Sequence, residues 1–255
     1  MNRLGLQLFA LPVALLAAGC VDDEFTLEFI QNQQVTAPVC VPVTAAAGAG
    51  QTAGTLDVGI VEGGAGSYAG YIVYPIVKNN LVDPALENNP PGLSTIVSRT
   101  DIQLIGGDVE YVASGALAAA LPTNQRSFFQ PAAAGSVAMN ATGTIAIEVM
   151  PVQVATELGA AVAENAPMPM IVRFRVVGTH AGTTSTTGWV EYPMKLCRWC
   201  LTGGKPLACP KGGFLKSQVS TGNCNIAQDT QVTCCINSAN HLRCGNDVPF
   251  STTGM

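Results

Sequence analysis

Apolar and polar residues alternate along most of this chain. Phe25, Leu27 and Phe29; Val39, Val41 and Val43; Leu56, Val58 and Ile60; Ile145, Ile147 and Val149; Val172, Phe174 and Val176; and Val190, Tyr192, Met194 and Leu196 each form one apolar face at every second residue. That is the period of a half-buried strand. "YIVYPIVK" (71–78) has the same composition, but Pro75 lacks an N–H for the ladder, which places this strand at a sheet edge. About eight such strands, separated by Gly, Pro, Asn and Thr clusters, predict a mainly β fold, a two-sheet antiparallel sandwich of immunoglobulin-like type.

Three stretches modify this picture. In "VATELGAAVAENA" (154–166), Val154, Leu158, Ala161 and Val162 recur at helical spacing, and Pro167 and Pro169 follow, predicting one short helix packed on a sheet. In "DIQLIGGDVEYV" (101–112) the inward parity flips across Gly106-Gly107. Either a hairpin turn or a bulge explains this, and a bulge within one long strand is preferred. Strands at 171–178 and 188–196 are expected to form a hairpin around the polar loop 179–188, with a register that sets Arg175 opposite Glu191. Asp108 and Glu110 are expected to point into solvent, and Phe128 and Phe129 to fold back from a long loop over an open end of the sandwich.

The first twenty residues follow another rule. Arg3 precedes an apolar run from Leu4 to Ala18, the small residues Ala17-Ala18-Gly19 follow, and Cys20 stands before Val21-Asp22-Asp23-Glu24. This is the layout of a secretory leader, and the run is too short and too interrupted for a membrane span. The cysteine after small residues resembles a bacterial lipobox, which implies cleavage before Cys20 and acylation of that residue. Val21 in the next position, where Asp would favour the inner membrane, implies sorting to the outer membrane. A lipobox product carries more acyl chains than the two that already give stable anchoring.

Composition narrows the class further. Without residues 1–19, which hold only Arg3, 11 basic side chains face 17 acidic ones, a balance that offers nucleic acid no footprint. The charge is uneven: residues 21–196 carry 6 basic and 15 acidic side chains, and 197–255 carry 5 and 2. The composition boundary near Cys197 separates two parts of opposite sign. Beyond Cys20 there are eight cysteines, Cys40, Cys197, Cys200, Cys209, Cys224, Cys234, Cys235 and Cys244, which in an exported chain reads as a disulfide framework. Seven lie in the tail, so complete internal pairing requires one of them to bond to Cys40. The alternation around Cys40 and Cys197 points both thiols away from their apolar faces, toward a separate module.

Candidate chemistry is sparse. "CRWC" (197–200) has the spacing of a redox motif, but it follows a strand, not a β–α turn, and reads as a structural bridge. Zinc is disfavoured by the oxidising context and the lack of a second spaced pair. The adjacent Cys234 and Cys235 suit disulfides to two different partners, because neighbours in a strand point to opposite faces. "GAGSYAG" (64–70) precedes a β-branched stretch and not a helix, so it is no dinucleotide fingerprint. His180 and His241 are the only histidines, and no nucleophile elbow accompanies them. No catalytic residue, metal or cofactor is expected.

At "RFRVVGTHAGTTSTTGWVEYPMKLCRWCL" and "CNIAQDTQVTCC" the chain resembles uncharacterised myxobacterial-type predicted lipoproteins, which join a β-rich body to a cysteine-rich tail. The resemblance implies a membrane-anchored envelope protein and carries no activity. The expected organisation is a leader (1–19), a lipidated tether (20–24), a sandwich (25–196) and a cysteine-rich module (197–255). The expected role is a structural or binding module, held to the outer membrane by its lipid and facing an envelope protein or glycan partner. The rival is an envelope enzyme: a thiol–disulfide exchanger using Cys197 and Cys200, or a hydrolase whose site assembles in space.

Overall fold

The computed structural model describes residues 26–35, 40–42, 50–64, 68–82, 100–132, 135–164, 166–214, 218–220 and 224–249. The leader, Cys20, the tether, Phe25, Val39, Val43 and residues 83–94 of the first long connection lie outside them. The strands are β1 (Leu27–Asn32), β2 (Gly54–Asp57), β3 (Tyr71–Val73), β4 (Pro75–Asn79), β5 (Ile102–Val112), β6 (Ser127–Pro131), β7 (Ser136–Val137), β8 (Thr142–Thr144), β9 (Ile147–Met150), β10 (Met168–His180), β11 (Thr183–Thr186), β12 (Val190–Cys197), β13 (Cys234–Ile236) and β14 (Leu242–Cys244). Three short helices join them, α1 (Val58–Gly63), α2 (Gly115–Ala120) and α3 (Val152–Gly159).

The fold is mainly β and has several sheets. The largest runs β2-β12-β10-β5-β6, with β11 pairing β10 and β7 pairing β5; smaller sheets are β1-β4-β8, β3-β9 and β13-β14. All large-sheet pairings are antiparallel except β2 with β12, which is parallel. The period-two pattern marks the inner face: Val172, Phe174, Val176, Tyr192, Met194 and Leu196 are buried. Across that face Phe29 of β1 meets Phe174 edge-on at 6.1 Å, Tyr71 of β3 meets Tyr192 at 5.9 Å, and the Tyr111 hydroxyl donates to the Val149 carbonyl of β9 at 2.8 Å. Such aromatic pairs add to the burial of their own area.

The glycine pair in β5 lies inside one strand, as preferred. Val177 pairs with Gly106 while Gly178 pairs with Leu104, so Ile105 is the extra residue of a bulge. Gly106 has φ +153° and an added Cβ would meet the Gln130 carbonyl and Phe129 ring, so only glycine fits there.

Several expectations are corrected. "YIVYPIVK" is two strands broken at Tyr74, and β4 is the middle strand of its sheet, not an edge. Pro75 is tolerated because it is the first residue of the strand. Val58 and Ile60 belong to α1, not to a strand. Around Cys40 the described residues 40–42 form no strand: Cys40 has φ +50° and Val41 is exposed. The helix of 154–166 spans Val152–Gly159, ending well before the prolines, and α1 and α2 were not anticipated.

The 179–188 loop is largely strand. A two-residue turn at Ala181-Gly182, both with positive φ, leads into β11, the geometry that matches strand twist. The register then places Arg173, not Arg175, opposite Glu191. Arg173 reaches Glu110 at 3.1 Å and Glu191 at 3.9 Å, while Arg175 reaches Asp108 at 2.8 Å. Both guanidinium groups lie over the Trp189 ring, at 5.2 and 4.9 Å. Asp108 and Glu110 are therefore paired across strands instead of standing free in solvent. Phe128 and Phe129 lie on β6, where Phe128 packs on Tyr111 at 5.8 Å and Phe129 is exposed. No helix among the described residues is long and apolar enough to cross a membrane.

Candidate functional site

A dense set of hydrogen bonds joins the tail to β2 along a seam. Asp57 ends β2 and caps α1: its Oδ1 accepts from the backbone N–H groups of Gly59 and Ile60 at 3.0 and 3.3 Å. An aspartate in this position satisfies N–H groups that a helix start leaves bare, and it turns a strand-like sequence into a helix. The same carboxylate also holds the tail. Oδ1 accepts from Trp199 N–H at 2.8 Å and Oδ2 from Leu201 N–H at 2.9 Å.

The tail returns the contact with a carboxylate of its own. Asp229 Oδ1 accepts from Thr55 N–H at 2.7 Å and Oδ2 from Gln51 Nε2 at 2.7 Å, and the Tyr71 hydroxyl donates to both oxygens at 3.1 and 2.9 Å. Gly54 leaves the space that Tyr71 hydroxyl occupies. Backbone bonds from Asp57 N–H to Ala227 carbonyl and from Asp229 N–H to Thr55 carbonyl place the tail along β2 as a further antiparallel partner. Gln228 clasps β3, donating to the Ile72 carbonyl and accepting its N–H. Opposite charge contributes as well: Arg198 forks onto Glu62 at 2.7 and 2.9 Å and donates to the Val162 and Gly159 carbonyls.

Proton counting fixes the direction of the tyrosine chain. Tyr71 has one hydroxyl proton, and it points at Asp229. Tyr192, 2.9 Å from Tyr71, therefore donates to Tyr71. Burial pushes both phenols well above their ordinary range, and for Tyr71 the Asp229 charge adds to the rise.

Desolvation also raises the Asp57 and Asp229 carboxyls, although their hydrogen bonds pull the other way. Their native pKa thus lies above the ordinary 3.8, so the folded chain retains protons that the unfolded chain has lost. This contribution to stability is complete below the ordinary value and declines as pH rises through the raised native values. Urea midpoints are expected to fall over that window, with a shallower fall in Asp229→Asn, which cannot ionise; an unchanged slope in the variant would contradict the assignment.

All eight cysteines after Cys20 are paired. Cys40 bonds to Cys224, the body–tail staple that counting requires. Cys197 bonds to Cys200, Cys209 to Cys235, and Cys234 to Cys244. Cys234 and Cys244 face each other in the β13–β14 register, and Cys235 reaches a different partner, as neighbours in a strand do. Cys197 is buried rather than directed outward. Asp57, Cys197 and Cys200 offer ligand-type atoms within 4.8 Å of one another, yet the sulfurs are bonded to each other and the carboxylate oxygens already accept four N–H groups.

His180 and His241 are far from this seam in role. His180 Nδ1 lies 3.0 Å from Ser185 Oγ across the β10–β11 hairpin. Ser185 is buried, and its oxygen already accepts the Thr26 hydroxyl. Among the described residues no carboxylate bonds to His180. Sequence reasoning found the cysteine staple but missed Asp57, Asp229, Tyr71 and Tyr192, which sit among ordinary strand and loop residues with no motif around them. Compared with protein families, curated proteins and solved structures, the chain has no match.

Proposed function

We propose that this chain is an envelope lipoprotein, anchored in the outer membrane through acylated Cys20, whose rigid β domain serves as a structural or binding module. In this reading the small sheets form the second layer of a sandwich over the large one, and the tail closes one end. The observation that carries it is the seam: a disulfide, a forked ion pair and two reciprocal carboxylates, Asp57 buried and Asp229 half-buried, hold body and tail in one geometry. Such investment suits a scaffold that must present a fixed surface. The leader pattern and the disulfide framework both fit export to an oxidising compartment.

A hydrolase is the rival, favoured by the His180–Ser185 contact. It requires a substrate carbonyl to reach a buried hydroxyl already bonded to Thr26, and an acid to orient the imidazole. The redox alternative requires the Cys197–Cys200 bridge to open beside a carboxylate committed to backbone N–H groups.

The direct test is mass analysis of the protein from its native host. The expected N-terminal peptide begins at Cys20 and carries acyl chains, in the outer-membrane fraction. An unmodified Cys20 in a cytosolic protein would overturn the reading.

A further inference from the structure

The two poles of the molecule differ in what they carry. The Thr26 hydroxyl, just before β1, donates to Ser185 at 3.0 Å, and Ser185 pairs with Gly178. The tail leaves β12 at the other end, where Leu196 pairs with Met168. Gly178 and Met168 lie on one strand, β10, and at about 3.3 Å per residue that strand sets the two points roughly 30 Å apart. In the anchored reading the chain is held at Cys20, close to Thr26, so the tail stands at the pole away from the bilayer.

That pole is also the basic one. Residues 197–255 carry 5 basic and 2 acidic side chains. Arg198 is taken up by Glu62 and Asp229 by the seam, whereas Lys205 and Lys211 are exposed and form no ion pair among the described residues. Lys205 lines a cavity of about 420 Å³ between residues 201–207 and 231–234, a volume within the range of binding sites. Leu201, Pro206, Leu207, Phe214 and Val232 supply its apolar surface, and among the described residues Lys205 is the only charged side chain that lines it. Leu207 is 81% exposed, although its backbone is fixed: its carbonyl accepts the Ile236 N–H at 2.9 Å, and the Cys209–Cys235 bond ties the same loop to β13. An exposed leucine on a disulfide-held loop loses little freedom when a partner covers it.

We propose that this cavity is the docking site for an acidic peptide segment of another envelope protein, which sets an apolar side chain among Leu201, Leu207 and Phe214 and a neighbouring carboxylate on Lys205. The apolar lining calls for a side chain, which a free anion lacks. The unpaired ammonium calls for a carboxylate. Lipid headgroups lie at the opposite pole. Charge steers such a segment to this end: residues 21–196, with 6 basic and 15 acidic side chains, repel it, and the tail attracts it. This inference rests on the binding-module reading and names its partner class.

The test exposes the purified, oxidised chain to an array of blocked heptapeptides of random composition, and in parallel to the acidic polysaccharide polygalacturonate. The expected result is that captured peptides share an Asp or Glu beside a Leu, Ile, Phe or Met. Their dissociation constants are expected to rise at least tenfold in Lys205→Glu and about fivefold in Leu207→Ser, and to rise again as salt goes from about 0.05 to 0.5 M. Both side chains are exposed, so an unchanged urea midpoint is expected in each variant; if either misfolds, the sequence shared by peptides captured on the unaltered chain decides. Captured peptides without an acid, or an affinity that neither substitution alters, would overturn the assignment. Capture of polygalacturonate and of no peptide would overturn it too, and leave a binding module standing. No capture of either would remove the site, while the mass of the Cys20 peptide decides the anchored reading separately.

Discussion

Asp57→Ala is expected to be the most damaging single substitution in the chain, costing about 4 kcal/mol or preventing folding, because it strips four buried N–H groups of their acceptor at once. Two of these start α1 and two belong to the tail, at Trp199 and Leu201. No solvent reaches the position to replace the lost bonds, since Asp57 is fully buried. Asp57→Asn is expected to cost less, about 1–2 kcal/mol, since one oxygen still accepts three N–H groups and only Leu201 faces a donor. Urea unfolding measures the totals. Hydrogen exchange measures the mechanism: the Trp199 and Leu201 amides are expected to lose protection in the Asn variant while β10 keeps its own. Uniform loss across the large sheet would show that Asp57 supports the body alone and not the seam.

Replacing both Cys40 and Cys224 by serine is expected to lower stability by up to about 5 kcal/mol, the chain-entropy value for so long a loop. The residues are 184 apart in sequence, so the bond chiefly restricts the unfolded chain. Two consequences separate this from the loss of a native contact. The urea dependence of unfolding is expected to steepen as the denatured chain expands, and the Asp229–Tyr71 contact is expected to survive, because the tail is also held along β2. A loss below about 1 kcal/mol would mean that the denatured state was already held together by other means.

These two variants divide what holds the tail. The staple acts on the unfolded chain, and Asp57 acts in the folded one. The sequence exposed the staple through parity, as seven tail cysteines cannot pair among themselves. It did not expose Asp57, which reads as a polar residue in an alternating stretch, because its cap role depends on α1 and its grip on the tail depends on residues more than 140 positions away.

The same division runs through the fold. Alternation alone located the buried faces of β10 and β12 and the parity flip in β5, which the pairing with β10 resolves as a bulge, since a period of two follows from the pleat of a strand whatever it pairs with. Register was two residues out for Arg173 and Glu191, because the tight turn at Ala181-Gly182 sets the β10–β11 alignment and the chain between β11 and β12 sets where β12 joins β10, and the alternation within β10 and β12 is the same in either register. The rank of β4 in its sheet was misread for a related reason: a proline forbids one hydrogen bond at one residue, and whether that bond was needed depends on the neighbours.

What the sequence by itself determined is therefore local or countable: a mainly β chain, the apolar faces of its longest strands, a framework of eight paired cysteines and the need for a bond from Cys40 to the tail. Only the tertiary structure decided which strands are neighbours and that Asp57 and Asp229 reach across the seam in opposite senses. Each of these depends on pairs distant in sequence, and a residue's own type says what bonds it can make but not which groups the fold brings within reach.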